Sequence, residues 1–359
     1  MRIDTPLGAL LALLSLTAPA FGQALPQTPG DKNAITDVPG IEVGHYTVSN
    51  GIGGMTGTTA IIARGGATAG VTQRGGAPGT RLTDLLKSEK AVGTVHAVVL
   101  SGGSAYGLAA ADGVTTCLAS QGVGTPVANG VIVPIVPSAI LFDPGRCANF
   151  DFRPDASFGS NACMAANNGP VAMGNVGAGA GARSGGIKGG IGTASAKLAN
   201  GVIVGAIVAV NSSGTTFNAM TGQFFAGYIA STPEPTVALG PGPADGERDE
   251  LLRATTIAVV ATNARLTKAQ ANKVAQMADD GLARALRIAH GTGDGDTVFA
   301  LATGTVPATV NPSINALGGA AADALSRAIM RAITAAKGIH VGTCNVNSYC
   351  ELFPQNCPK

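Results

Sequence analysis

A layered α/β fold is predicted by three features of this sequence. β-Branched runs alternate with amphipathic helical stretches in the C-terminal third. The run Val202 to Val210 is apolar almost throughout, as in a strand covered on both faces. And 52 glycines with only 4% aromatic residues suit backbones packed closely in sheets joined by tight turns. The 359 residues suffice for one large domain or two small ones around a sizeable core. With 23 Lys+Arg against 21 Asp+Glu, and 12% charged residues, there is no basic stripe to neutralise phosphates, which argues against nucleic acid and anionic membrane as partners.

Read in order, the chain opens on a segment separate from the fold. Arg2 precedes the apolar run Leu7 to Leu16, followed by small residues at Ala18, Ala20, Gly22 and Ala24. Residues 1–24 therefore read as a secretory signal peptide, too short for a membrane span, and place the mature chain in the periplasm or outside the cell. Residues 25–359 read as a single domain. Thr58 to Ala63 and Thr94 to Leu100 are predicted strands, bounded by Gly or Ser. Ser101-Gly102-Gly103-Ser104 opens a helical stretch from about Ala105 to Ser120, and Val202 to Val210 follows as a strand. Ser231 to Glu247, rich in Pro and Gly and without periodicity, is predicted to be an exposed linker. Thr255 to Thr262 is a strand, and Thr267-x-x-Gln270 is a capping box for a helix to about His290 with Val274, Ala278, Leu282 and Ala285 on one face. Gly291 to Gly295 turns the chain into the strand Thr297 to Thr303. Ser313 then starts a helix whose Leu317, Leu325, Ile329 and Ile333 form an apolar stripe ending before Gly338.

Six cysteines, at 117, 147, 163, 344, 350 and 357, suit an oxidising compartment and permit three disulfides. The expected pairs are Cys147 with Cys163 and one within the tail from Cys344 to Cys357, leaving Cys117, on a predicted helix, as a buried thiol or the sixth partner. No CxxC pair occurs and no His stands at ligand spacing from a Cys, so no metal site is expected.

Local motifs say less about chemistry. The G-x-G-x-x-A match within Gly174 to Gly181 lacks the acidic residue about 20 positions on that a dinucleotide site uses, and close sheet packing explains it better. Asp294-Gly295-Asp296 reads three ways: part of a calcium site lacking further nearby ligands, an ordinary polar turn, or paired carboxylates that orient a nucleophile and its amine. On composition alone Thr255 and Thr256 are strand formers. There is no G-x-S-x-G elbow, and none of His45, His96, His290 and His340 is marked by a motif as a base.

Seven blocks in fixed order carry a more specific signal. They are VPGIEVGHYT (Val38 to Thr47), GTTAIIA (Gly57 to Ala63), LSGGSAYGLAAADGV (Leu100 to Val114), GAGAGARSGGIKGG (Gly177 to Gly190), AVNSSG (Ala209 to Gly214), TTIAVVATNARLTKAQ (Thr255 to Gln270) and DGDTVFALATG (Asp294 to Gly304). Together they resemble the self-cleaving DmpA/BapA/NylC-type aminopeptidases and amidases, which are N-terminal-nucleophile hydrolases, over about Asn33 to Gly342. The resemblance implies a four-layer αββα sandwich and a precursor cut once, between Ala254 and Thr255, into an α chain, 25–254, and a β chain, 255–359. The new amine, with an ordinary pKa near 7.7 to 8.0, then serves as the base for the Thr255 hydroxyl.

By matching motifs, Lys188 resembles the family lysine beside the nucleophile, Asn211 the oxyanion donor, and Asp294 and Asp296 the carboxylates that hold the hydroxyl and amine. Phe142 stands where related amidases often carry Tyr, and Phe142 and Tyr106 are the candidate substrate contacts. Ala254 stands where Asn or Gly is common, which implies either slower processing or a trapped precursor. The resemblance implies no metal or organic cofactor, a small amide or short peptide as substrate, and a homotetramer or larger assembly. The Thr nucleophile with two Asp is closer to the nylon-oligomer endoamidases. The alternatives are a β- or L-aminopeptidase with amidase/esterase activity and an exported binding protein that never cleaves.

Overall fold

Alternation along the strands decides the architecture. The computed structural model describes residues 27–198, 200–227, 254–310 and 312–357, so the proposed signal peptide and the linker at Ser231 to Glu247 lie outside the described residues. The strands that frame the molecule are β1 (Glu42–Ser49), β2 (Met55–Gln73), β3 (Val95–Ser101), β4 (Ser138–Ile140), β5 (Gly190–Lys197), β6 (Ile203–Asn211), β7 (Thr255–Thr262) and β8 (Thr297–Ala302). The helices are α1 (Ala110–Ser120), α2 (Ala156–Met164), α3 (Lys268–Ala285) and α4 (Ile314–Ala335).

Along β6, β7 and β8, Ile207, Ala209, Ile257, Val259, Phe299 and Leu301 share one core with Ile61, Val98 and Leu100 of β2 and β3. The intervening residues Val204, Val208, Ala258, Val260, Val298 and Ala300 pack instead on Val274, Leu282, Leu325 and Ile329 of α3 and α4. In β2 and β3 the other face, Ala60, Ile62, Ala97 and Val99, meets Val114 and Leu118 of α1 and Ala162 of α2. Successive side chains of a strand point to opposite faces, so two sheets lie face to face with a helix pair outside each. The fold is the four-layer αββα sandwich.

The two sheets share β2. Its first part pairs antiparallel with β1 and β3, and its last part, Thr68 to Gln73, pairs antiparallel with β8. The β2–β3 register shifts between Ile62 and Ala67, and this irregularity lets one 19-residue strand pass from one sheet to the other. The predicted Thr58 to Ala63 is therefore only its middle. The sheet that takes the last part of β2 continues β8, β7, β6, β5, with β7 and β8 parallel and β6 antiparallel to β7.

Helix termini follow the sequence closely where caps exist. Thr267 accepts from the Gln270 N–H and Gln270 returns a bond to the Thr267 N–H at 2.9 Å, and Ser313 caps α4. The stretch from Ala105 begins as a 3-10 turn, Ser104–Ala109, before α1. The helix expected to reach His290 stops at Ala285 because Arg287 exchanges two backbone hydrogen bonds with Thr215, at 2.8 and 2.9 Å, and this bridge draws the chain into extended form. In the glycine-rich run, Gly179 packs against the Gly190 and Ile191 backbone, which is the close packing expected there.

Three disulfides form: Cys117–Cys163 between α1 and α2, Cys147–Cys344, and Cys350–Cys357. The tail pair agrees with expectation. Cys147–Cys163 does not form, because Cys163 faces Cys117 across the packed helices, 6.4 Å between Cα atoms, while the loop after β4 brings Cys147 to the C-terminal segment. Three disulfides accord with an extracellular environment. Among the described residues no helix is long and apolar enough to cross a membrane.

Candidate functional site

Three strand ends meet at one end of the sandwich. β7 begins at Thr255, directly opposite Asn211 at the end of antiparallel β6, and parallel β8 begins at Thr297 beside it. Thr255 has the inward parity of Ile257 and Val259, so its side chain belongs to the space between the sheets, and it is only 6% exposed. The turn before β8 closes over it. The Gly295 N–H lies 3.2 Å from the Ala254 carbonyl oxygen and 3.2 Å from Thr255 Oγ, and the Thr255 hydroxyl donates to the same Ala254 carbonyl. A Cβ on Gly295 would stand 2.8 Å from Thr255 Oγ, so this approach needs glycine.

The two carboxylates act on backbone and neighbours. Asp296 Oδ1 accepts from the Thr256 N–H at 2.7 Å, and its Oδ2 accepts from the His290 N–H at 2.9 Å and lies 3.0 Å from His290 Nδ1. Asp294 pairs with Ala254 in a parallel bridge, accepts from the Gly291 N–H at 2.7 Å and receives the Ser213 hydroxyl at 3.1 Å. Burial, then the charge of Asp296, raises the Asp294 pKa above the ordinary carboxylate range.

On the other side, Asn211 is held by its amide oxygen. Oδ1 accepts from the Arg183 N–H at 3.0 Å and from the Arg146 guanidinium, and Nδ2 donates to the Phe142 carbonyl at 3.4 Å. Two donors on one atom fix which end of the amide is the N–H end. Lys188 stands opposite Arg183 in a two-residue ladder; its ammonium, fully buried, donates to the carbonyls of Gly179, Ala182 and Gly189 at 3.0, 2.9 and 2.7 Å. Burial and the nearby Arg146 charge push its pKa down to about 7, against the pull of Asp143. Asp143 is itself buried, which pushes it up to about 6 although Gly103 N–H and the Thr56 hydroxyl donate to it.

The structure thus brings together Ala254, Thr255, Asn211, Asp294 and Asp296; Lys188 stands opposite Arg183, whose N–H holds Asn211, and donates to backbone carbonyls rather than to Thr255. Phe142 meets the site through its carbonyl, which accepts from Asn211 Nδ2. Tyr106 is 63% exposed, with Arg153 stacked 3.8 Å from its ring centre. Sequence reading missed the Gly295 N–H, Ser213, Arg146, Asp143, His290 and Asp279. Only Asp279 carried a readable signal, as a carboxylate beside Ala278 on the apolar face of α3; the others are assembled by tertiary contacts.

The mixed αββα sandwich is shared with solved aminopeptidases, one of them described as a variant of the Ntn-hydrolase fold. The model of Peptidase family S58 matches residues 33–345, and the chain belongs to that family. An uncharacterised aminopeptidase of Mycobacterium leprae is 43% identical over 350 residues, covering 90% of this chain and 94% of the relative. The beta-peptidyl aminopeptidase BapA of Sphingosinicella xenopeptidilytica is 31% identical, over 77% of this chain and 72% of its own, and the 6-aminohexanoate-oligomer endohydrolase of a Kocuria species is 28% identical over 87% and 89%. Among solved structures, a Burkholderia beta-aminopeptidase superposes with a TM-score of 0.69 at 26% identity, covering 94% of this chain and 98% of that one. The L-aminopeptidase D-Ala-esterase/amidase of Ochrobactrum anthropi, a variant of the Ntn-hydrolase fold, gives 0.66 at 21% over 92% and 97%. The protein is a peptidase/amidase-type hydrolase.

Proposed function

We propose that the chain is exported, loses residues 1–24, cuts itself between Ala254 and Thr255, and then hydrolyses amide bonds with Thr255 as nucleophile. The observation that carries this reading is the Gly295 N–H placed 3.2 Å from both the Ala254 carbonyl oxygen and Thr255 Oγ. One donor then steadies the oxyanion that forms when Oγ attacks the Ala254 carbonyl carbon, with the Asp294 turn alongside. The attack breaks the Ala254–Thr255 C–N bond, passes the hydroxyl proton to the departing amine and leaves an ester on Oγ. Water hydrolyses the ester, freeing an Ala254 carboxylate and the Thr255 α-amine.

In the cut protein the amine takes the Oγ proton as Oγ attacks a substrate amide and returns it to the leaving nitrogen, and water then hydrolyses the acyl ester on Oγ to free the acid and restore the hydroxyl. Asn211, anchored through Oδ1, turns its N–H end towards the oxyanion. Lys188 lends positive charge on the same side, keeping the amine unprotonated. Asp296 fixes the start of β7 through the Thr256 N–H, and Asp294 faces the new amine. Phe142 and Tyr106 are the proposed substrate contacts, and a homotetramer or larger assembly is the proposed active form.

The substrate class supported best is an internal amide of a short peptide-like chain. An aminopeptidase needs a carboxylate for the substrate ammonium, and Asp294 and Asp296 already each take two or more hydrogen bonds. Comparing amino-blocked with free-amino amides tests this: preference for free-amino substrates assigns the protein to the aminopeptidases instead. Self-cleavage is tested with Thr255→Ala, which is expected to leave one uncut, inactive chain; hydrolysis by that variant overturns the proposal.

A further inference from the structure

The mechanism above leaves one buried charged assembly unused. Asp279, on the inner side of α3, is fully buried, and neither of its carboxylate oxygens has a hydrogen-bond partner among the described residues. It is held by charge: Arg74 Nε lies 3.4 Å and His290 Nε2 3.5 Å from Oδ2. The other ring nitrogen of His290 is 3.0 Å from Asp296, whose second oxygen grips the Thr256 N–H. His290 is therefore flanked by two carboxylates, and its backbone, at φ 61°, is turned so that its own N–H also donates to Asp296. The chain leaves α3 early, through the Arg287–Thr215 bridge, and so delivers this ring to the site.

We propose that His290 is a positioning residue of the nucleophile: an imidazolium held between Asp279 and Asp296 that locks Asp296 onto Thr256 and so sets Thr255 at the mouth of the sandwich. This rests on the reading of Thr255 as nucleophile. A neutral ring offers only one N–H, so it loses either its bond to Asp296 or its attraction to Asp279. The groups facing the ring are Asp279 of α3, Arg74 at the end of β2, and Asp294 and Asp296 in its own loop; Asp280 pairs with Arg74 and acts on Asp279. The surrounding carboxylates raise the His290 pKa in spite of burial, so the locked form persists to higher pH than for a free histidine and is lost as pH rises further.

The test compares His290→Ala, His290→Asn and Asp279→Asn with wild type, measuring the self-cleavage rate, kcat and KM per cut chain, and the kcat–pH profile. His290→Ala is expected to slow self-cleavage and kcat about tenfold or more with KM within about twofold, since misplacing a nucleophile costs rate rather than binding. His290→Asn, whose amide still reaches Asp296, is expected to recover most of that loss, and Asp279→Asn to move the alkaline limb of kcat to lower pH. Equal loss in kcat and KM, no recovery by Asn, or an unmoved pH profile in Asp279→Asn overturns the proposal. Should wild type itself remain uncut, or Thr255→Ala stay active, the nucleophile assignment fails instead, and the two failures are told apart.

Discussion

Cys147 and Cys344 lie on opposite sides of the proposed cut, so their disulfide carries a prediction about both forms of the protein. In the uncut chain it closes a loop with a sequence separation of 197 and a Cα–Cα distance of 5.5 Å, within ordinary disulfide geometry. Neither of the other two disulfides shortens that loop, since Cys117 lies outside it and the chain from Cys147 to Cys163 is shorter than the detour through Cys117, while Cys350–Cys357 lies beyond Cys344. Chain entropy alone then gives about 5 kcal/mol of stabilisation at 25 °C. The perturbation is Cys147→Ser with Cys344→Ser in a Thr255→Ala background, which keeps the chain in one piece and leaves no free thiol. Denaturant unfolding is expected to show a loss of several kcal/mol with a steeper slope, because the unfolded chain without the cross-link exposes more surface. In the cut protein the same bond joins the α and β chains, so a denaturing gel is expected to show one species without reductant and two with it. A stability loss below about 1 kcal/mol, or chains that part on a denaturing gel without reductant, refutes this reasoning.

Further outcomes follow from the site. Gly295→Ala keeps the N–H but places a Cβ against Thr255 Oγ, so self-cleavage, followed by mass spectrometry, is expected to slow by about tenfold or more. Asn211→Ala is expected to cost on the order of 10²-fold in kcat with a smaller effect on KM, the signature of a lost oxyanion donor. Lys188 has a folded pKa of about 7, below its unfolded value, so the unfolded chain binds the extra proton between the two. Its burial penalty is present in full below about pH 7 and is relieved as pH rises. Uncut Thr255→Ala protein is therefore expected to gain stability from pH 7 to 9, and adding Lys188→Met to remove that gain.

What the sequence shows of this protein is what local forces decide. β7, the start of α3, and α4 are legible almost to the residue because a capping box, a serine cap and helical periodicity act within a few positions. The length of β2 is not, since its passage between sheets depends on partners far along the chain, β3 and β8. The Cys147–Cys344 pair is set by the same kind of distant packing. In the site, the family blocks bring out Thr255, Asn211, Asp294 and Asp296, and the strand register seats them together. His290 stays hidden because no spacing marks a ring whose position depends on where α3 ends, and the Gly295 N–H because a backbone donor has no side-chain signature.

The most direct test of the account is the intact mass of the purified mature protein under reducing conditions, with N-terminal sequencing of every species. The account predicts a β chain spanning residues 255–359 and beginning Thr255-Thr256-Ile257. A single uncut chain that persists on long incubation while hydrolysing amides contradicts it.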